Sequence, residues 1–417
     1  MASNPQGNTK ANAKASGGGG FAWRLAAFYA VLFIVLGVQL PFLPVWLAAA
    51  GLDAGAIGVA LAIPQLIRVF SIPLATRTAD RRDALRGALI VAAIAAALSY
   101  GALGLARGAL AVMAVFALAS AFFTPIMPLT DAYALRGLRD PARSGLRAFG
   151  PIRVWGSAAF IAGTFGAGYA LDAIAVRDLI WLIVAALALT AAAACTLEQL
   201  APHAAATAGK PLARALLGDR TFLAIVAAAS LIQASHAVYY GFSALAWRAA
   251  GLDGAAIAAL WATGVVAEIV LFALSGRLSF NPGALLLIGA AGAVLRWSAM
   301  ALDPPALLLV PLQCLHALSF GATFLGTLGA MTRTVPPALV ATAQGYLAVA
   351  LGLVMAAVMG LSGLLYARGG GLAYGAMALV ALAGGLLAWA ATGTSDTSRR
   401  ARGPRDTSSS ATGRRAP

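Results

Sequence analysis

Glu268 is one of two glutamates in the chain, and it lies within the run AALWATGVVAEIVLFALSG, where no other charged residue occurs. Its nearest charged neighbours along the chain are Asp253 and Arg277. A carboxylate surrounded by hydrocarbon is costly, so a residue of this kind marks a substrate or proton pathway. Asp131, Arg153 and Arg296 also stand in apolar runs. Asp131 and Arg153 lie at comparable distances on either side of a loop near Pro141, so antiparallel helices would bring them to similar depth. Glu268 and Arg296 flank Asn281-Pro282-Gly283 with an offset of about five residues, or about 7 Å at 1.5 Å per residue, which a long Arg side chain nearly covers. Each acid would then have a basic partner, and a carboxylate that gains and loses such a partner can take up and release a proton. For Arg153, and for Arg68 on an earlier run, the competing reading is a side chain that snorkels to the interface.

Polar and aromatic residues recur around these charges at helical spacing. Gln233, His236, Tyr240, Ser243 and Trp247 share one face, as do Gln313, His316, Phe320, Thr323 and Thr327. Trp261, Glu268 and Phe272 form a third stripe, and Phe149, Arg153, Ser157 and Phe160 roughly a fourth. Thr124, Met127 and Asp131 lie in a segment softened by Pro125 and Pro128. In lipid such faces must turn toward other helices or water, because an unpaired polar group there costs several kcal/mol.

The elements that carry these faces follow from composition. The 417 residues are 61% hydrophobic and 10% charged, with a mean hydropathy of +0.86, whereas soluble domains carry about 25% charged residues. Turn residues and charges mark twelve apolar spans at 21–50, 53–75, 85–106, 109–137, 149–172, 178–197, 219–249, 253–276, 283–302, 305–334, 337–366 and 371–392. Each is long enough to cross a bilayer. The run from Phe21 is too long for a signal-peptide core and reads as a retained first span. Residues 1–20 and 393–417 read as disordered tails, the second basic, and 198–218 as a cytoplasmic linker between halves at 21–197 and 219–392.

The net charge of +15 does not imply a nucleic acid. With the N-terminus in the cytoplasm, only Arg107, Arg177, Arg248 and Arg368 fall outside and Arg68, Arg153 and Arg296 within spans. The remaining Lys and Arg lie inside, as the positive-inside rule requires. Cys195 and Cys314 sit in apolar runs, which argues for packing rather than a disulfide. Ala49-Ala50-Gly51-Leu52-Asp53 recurs as Ala249-Ala250-Gly251-Leu252-Asp253, an offset of 200 residues, with each Asp placed to cap the next helix. The pattern predicts an all-α membrane protein of twelve transmembrane helices in two pseudo-symmetric six-helix bundles, with a site at the midplane between them.

The segment Asp80-Arg81-Arg82-Asp83-Ala84-Leu85-Arg86 resembles the acidic-basic loop of the major facilitator superfamily, with Thr76 where a leading glycine would stand. By that likeness Asp80, Arg81 and Arg86 are candidate gating residues. Five motifs then resemble the 3-phenylpropionic acid permease branch of the superfamily: Pro128-Leu-Thr-Asp131-Ala, Arg153-Val-Trp155-Gly156-Ser157-Ala, His236-Ala-Val-Tyr239-Tyr240-Gly-Phe-Ser243-Ala, Val266-Ala-Glu268 and Leu295-Arg296-Trp297. The likeness covers roughly residues 21–392 and extends to the related lactose permease and nucleoside–proton symporter groups. It implies proton-coupled uptake across the bacterial inner membrane by a multi-pass protein with both termini in the cytoplasm, and a monomer that needs no cofactor or metal. It also implies proton-coupling places for Asp131, Glu268, Arg296 and His316. The second acid that the lactose permease pattern puts one turn after the histidine is replaced by Ser319, which shifts the proton to Glu268 or Asp131.

On this reading Arg153 receives a substrate carboxylate, and Trp155, Tyr239, Tyr240 and Trp261, with His236, supply apolar and stacking surface. Sugar or nucleoside symport and drug efflux are the alternatives within transport. A membrane enzyme is disfavoured: the chain has three histidines, no His-Glu-x-x-His, no Gly-x-Ser-x-Gly and no phosphate-cradling glycine loop.

Overall fold

The computed structural model describes residues 7–139, 149–200, 213–275, 277, 281–336 and 339–401. Every regular element among them is helical. The α-helices are α1 (Gly7–Ala49), α2 (Ala54–Arg81), α3 (Leu85–Leu105), α4 (Ala109–Phe123), α5 (Ile126–Leu138), α6 (Phe149–Ala173), α7 (Leu179–Thr196), α8 (Arg220–Ala234) and α9 (Ala237–Ala249). They continue as α10 (Gly254–Ser275), α11 (Pro282–Met300), α12 (Ala306–Cys314), α13 (Thr323–Thr334), α14 (Val340–Gly369) and α15 (Ala373–Ala401). Among the described residues eleven stretches are long and apolar enough to cross a membrane. The last, Thr342–Ala391, covers the ground expected for two spans. It is interrupted by a 3-10 turn at Gly370–Leu372, with Gly370 at φ 53°.

Three further spans also break within their length. The span over Ala109–Leu138 breaks between α4 and α5, where Pro125 and Pro128 remove two backbone donors. Between α8 and α9 the Ser235 hydroxyl donates to Ile232 O at 2.6 Å and His236 Nδ1 bonds Gln233 O at 3.0 Å, so side chains compete for carbonyls the helix would use. Between α12 and α13 the chain widens into a π-helical turn, Ala317–Ala322, directly after His316, a feature frequent at functional sites.

The internal repeat has a structural counterpart. Gly51 and Gly251 both adopt left-handed φ, 94° and 90°, a conformation that L side chains resist. Asp53 Oδ1 then accepts from Ala56 N at 2.8 Å and Asp253 Oδ1 from Ala256 N at 2.7 Å, so both aspartates cap as expected. At this end of the molecule α2 meets α14 and α6 meets α10 through small residues. A Cβ on Gly58 would stand 2.7 Å from Gly363 Cα, and one on Gly168 would stand 2.9 Å from Ala258 Cβ. Asp172 at the end of α6 accepts from Gly254 N at 2.7 Å through Oδ2, and its Oδ1 lies 3.6 Å from Arg248 Nη1.

Some expectations are corrected. α2 continues to Arg81, and α3 starts at Leu85, so Asp80, Arg81 and Arg86 lie on helix ends rather than in a loop. The turn itself is made by Asp83 at φ 48°, and its carboxylate pairs with Arg136 of α5. Arg86 Nη2 donates to Cys195 O at 2.7 Å, satisfying a carbonyl at the end of α7. Cys195 and Cys314 are free and exposed rather than packed inside. Helix α1 begins at Gly7 and α15 runs to Ala401, so parts of both supposed tails are helical. Extending an existing helix costs far less than nucleating one, and Ala and Lys of 10–15 are good helix formers. Residues 1–6 and 402–417 of the tails, and 201–212 of the linker, lie outside the described residues.

Candidate functional site

The broken spans face two cavities that meet at Leu40 and Tyr240. The larger, about 550 Å³, is walled by α1, α2, α4 and α5, and counts Gln39, Arg68, Met127 and Asp131 among its lining. The smaller, about 240 Å³, is lined by Phe33, Ser157, Tyr239, Trp261, Glu268 and His316, among others.

Asp131 and Arg153 are paired as the sequence predicts, Arg153 Nη1 donating to Asp131 Oδ1 at 2.9 Å. Tyr29 Oη donates to the same oxygen at 2.6 Å. The Arg153 Cζ lies 6.0 Å from the Phe33 ring centroid. Both charges of the pair are thus engaged, and Asp131 lines the larger cavity.

The second pair differs. Glu268 and Arg296 are not within ion-pair distance, because His316 stands between them. Arg296 Nη1 lies 3.1 Å from His316 Nδ1, and His316 Nε2 lies 3.6 Å from Glu268 Oε2. An arginine can only donate, so Nδ1 accepts and Nε2, the nitrogen nearer the carboxylate, carries the ring proton. The arginine is long enough to cover the offset, but the segment that carries His316 packs against both α10 and α11 and fills the gap. Arg296 is fully buried. Its Nη2 donates to Gln313 Oε1, and Nη1 reaches Ser319 Oγ at 3.5 Å. Ser319 also meets His236 Nε2 at 3.0 Å. His236 Nδ1 is spent on Gln233 O, so the serine hydroxyl donates to Nε2 and its lone pair faces the arginine. The residue that departs from the expected acid is therefore the joint between two histidines' helices.

Aromatic rings enclose this chain. The Arg296 Cζ lies 4.5 Å from both the Tyr239 and Trp297 ring centroids, a geometry that favours a cation. Tyr239 stacks on Trp261 at 4.5 Å, and His316 stacks on Phe320 at 5.2 Å. Trp261 Nε1 is buried without an acceptor among the described residues, an unused donor in the wall of the smaller cavity. Trp155 takes no part: it is 56% exposed and packs edge-on against Trp23 at 6.4 Å. It lies two residues beyond Arg153, which on a helix is about half a turn and so the opposite face. Phe149 of the same stripe has no described side-chain placement. Sequence reading missed Tyr29, which no spacing rule links to Asp131 across 102 residues, and the role of Gln313 as a ligand of Arg296.

The chain has relatives among known proteins. Residues 22–379 match the model of the MFS_1 like family. The chain belongs to that family. It is 32% identical over 368 residues to the probable 3-phenylpropionic acid transporter of Escherichia coli (strain K12), covering 86% of this chain and 94% of the relative. It is 31% identical over 301 residues to the maltose permease of Geobacillus stearothermophilus, covering 69% and 75%. A crystal structure of a variant of the nucleoside transporter NupG superposes with a TM-score of 0.79 at 18% identity, covering 89% of this chain and 99% of that one. The inward-facing, unoccupied structure of a bacterial homologue of the human lysosomal transporter Spinster gives 0.71 at 15% identity, covering 90% and 96%. This member of the MFS_1-like family is accordingly a multi-pass transporter of the major facilitator type in the inner membrane, with a small-molecule substrate, and not an enzyme.

Proposed function

We propose that the chain is a proton-coupled secondary transporter that takes up a small aromatic carboxylate of the 3-phenylpropionate kind by alternating access. The observation that carries this reading is the buried series Arg296–His316–Glu268, ending in a carboxylate that lines an aromatic cavity. In this scheme Glu268 carries the proton, and His316 Nε2 faces the carboxylate at 3.6 Å. Arg296 is kept charged by Gln313, Ser319 and two aromatic faces, and it fixes the histidine tautomer. Protonation of Glu268 removes the acceptor charge and frees the histidine contact, which is the local event that a global motion can follow. Tyr239, Tyr240 and Trp261 would stack on the substrate ring. Asp131 and Arg153 would hold the facing wall.

The proposed architecture is twelve spans in two six-helix halves, 21–197 and 219–392, joined by 198–218, in a monomer with both termini in the cytoplasm. Thr342–Ala391 supports two spans rather than one: as a single helix its 50 residues would run about 75 Å, against a hydrocarbon core of about 30 Å. The matching turns at Gly51 and Gly251 and the bias of Lys and Arg support the rest. The Gly58–Gly363 and Gly168–Gly254 approaches, with the Asp172 bond to Gly254, would then close the outer end and part when the halves rock.

Uptake of labelled 3-phenylpropionate into vesicles of purified protein, with and without an inward proton gradient, tests the reading. Accumulation is expected only with the gradient, and aromatic acids should compete. A specific observation favours sugar or nucleoside symport as the second reading: the Tyr29–Asp131–Arg153 cluster offers donors and acceptors suited to hydroxyls. Displacement by maltose or a nucleoside, with no effect of phenylpropionate, would decide for it. Drug efflux would show as raised resistance without uptake.

A further inference from the structure

The larger cavity holds a cation that the scheme above does not use. Arg68, on α2, lines it, and its one polar contact is Nη1 to Gln65 Oε1 at 3.4 Å, one turn back along the same helix. No carboxylate lies within ion-pair distance of it among the described residues. Among the described residues the only other charged side chain in that wall is Asp131, whose Oδ1 already takes donors from Arg153 and Tyr29. The rest of the lining is mainly apolar, including Leu36, Leu61, Phe116, Phe123 and Met127. An arginine facing an apolar chamber without a counter-ion is costly unless an anion arrives. Its planar fork suits a carboxylate bound through two parallel hydrogen bonds. Arg153, in contrast, is engaged, and a substrate carboxylate there would have to displace Asp131 or sit beside its negative charge.

We propose that Arg68 rather than Arg153 binds the substrate carboxylate, with the aromatic body of the substrate running past Met127 toward Tyr240, which both cavities share. This rests on the proposed uptake of an aromatic acid. The position also has a consequence for coupling. A Cβ on Gly352 of α14 would stand 3.1 Å from Gln65 O and 3.8 Å from Arg68 Cδ, so the arginine stem lies along the seam between α2 and α14. A carboxylate docked there sits at a boundary between the two proposed halves.

The test compares wild type, Arg68→Lys and Arg68→Gln for equilibrium binding of 3-phenylpropionate and of its uncharged alcohol, 3-phenylpropan-1-ol, in the full-length protein. Arg68→Gln should weaken acid binding about 10- to 100-fold, the range for a lost charged hydrogen-bonded contact, and leave alcohol binding unchanged. Arg68→Lys should fall between, since it keeps the charge but not the fork. Equal loss for acid and alcohol would mean a packing role and overturn the proposal. Unchanged acid binding in Arg68→Gln would mean a snorkelling side chain and overturn it too, while leaving the transport reading intact. Wild-type protein that binds no aromatic carboxylate would overturn both.

Discussion

The glycine seams give the rocking motion a quantitative handle. A Cβ on Gly58 would stand 2.7 Å from Gly363 Cα and 2.8 Å from Gly363 N, roughly 1 Å inside ordinary contact, and backbone cannot rotate away. Gly58→Ala must therefore push α2 from α14 whenever the outer end is closed, at the overpacking cost of about 1–3 kcal/mol. The helix-propensity gain of about 0.5–1 kcal/mol for Gly→Ala applies to closed and open states alike and cancels. The closed-outer state is then disfavoured by a factor of about 5 to 150. Gly360, one turn from Gly363 on α14, has nothing within 4 Å of a built Cβ, so Gly360→Ala is the matched control. In a background with Cys195 and Cys314 replaced by Ser, a cysteine at Ser157 in the smaller cavity reports access from outside by reaction with an impermeant maleimide. Gly58→Ala should raise that labelling at least about fivefold, with Gly360→Ala unchanged. Equal labelling of the two variants would refute the claim that this contact closes the outer end.

Other consequences follow from the same geometry. Ser319→Ala removes the hydroxyl that joins His236 to Arg296 and leaves buried groups unpaired, at about 1–3 kcal/mol; thermal unfolding of the purified protein should fall accordingly, and an unchanged midpoint would contradict the bonding described. Asp172→Ala should raise outward labelling more than Asp172→Asn, because the amide oxygen can still accept from Gly254 N; identical behaviour would deny that bond a part in closure. Trp155→Ala should leave the uptake KM unchanged while Trp261→Ala raises it, since only Trp261 lines a cavity; the reverse order would place the substrate elsewhere.

Several span limits are legible because hydropathy alone bounds them: Gly20–Ala49, Leu85–Leu105 and Gly254–Ser275 depart by no more than one residue at either end from the expected 21–50, 85–106 and 253–276. The aspartate caps at 53 and 253 were legible as local chemistry. So was the Asp131–Arg153 pair, since two antiparallel neighbours share a loop. The Glu268–Arg296 pairing failed for a reason that lies outside local sequence: whether another helix inserts a side chain between two neighbours is a tertiary fact, and His316 does so. Trp155 failed because a motif shared with relatives says nothing about which face a residue takes. Arg68 had two equal readings in sequence, and the absence of a nearby acid among the described residues favours the proposed binding role over snorkelling.

The account turns on Glu268 as the proton carrier. Glu268→Gln keeps the size and the contact with His316 Nε2 but cannot change charge. Reconstituted in vesicles, it should exchange labelled against unlabelled substrate at close to the wild-type rate, yet fail to accumulate substrate against its gradient when a proton gradient is imposed. Full accumulation by Glu268→Gln would contradict the account.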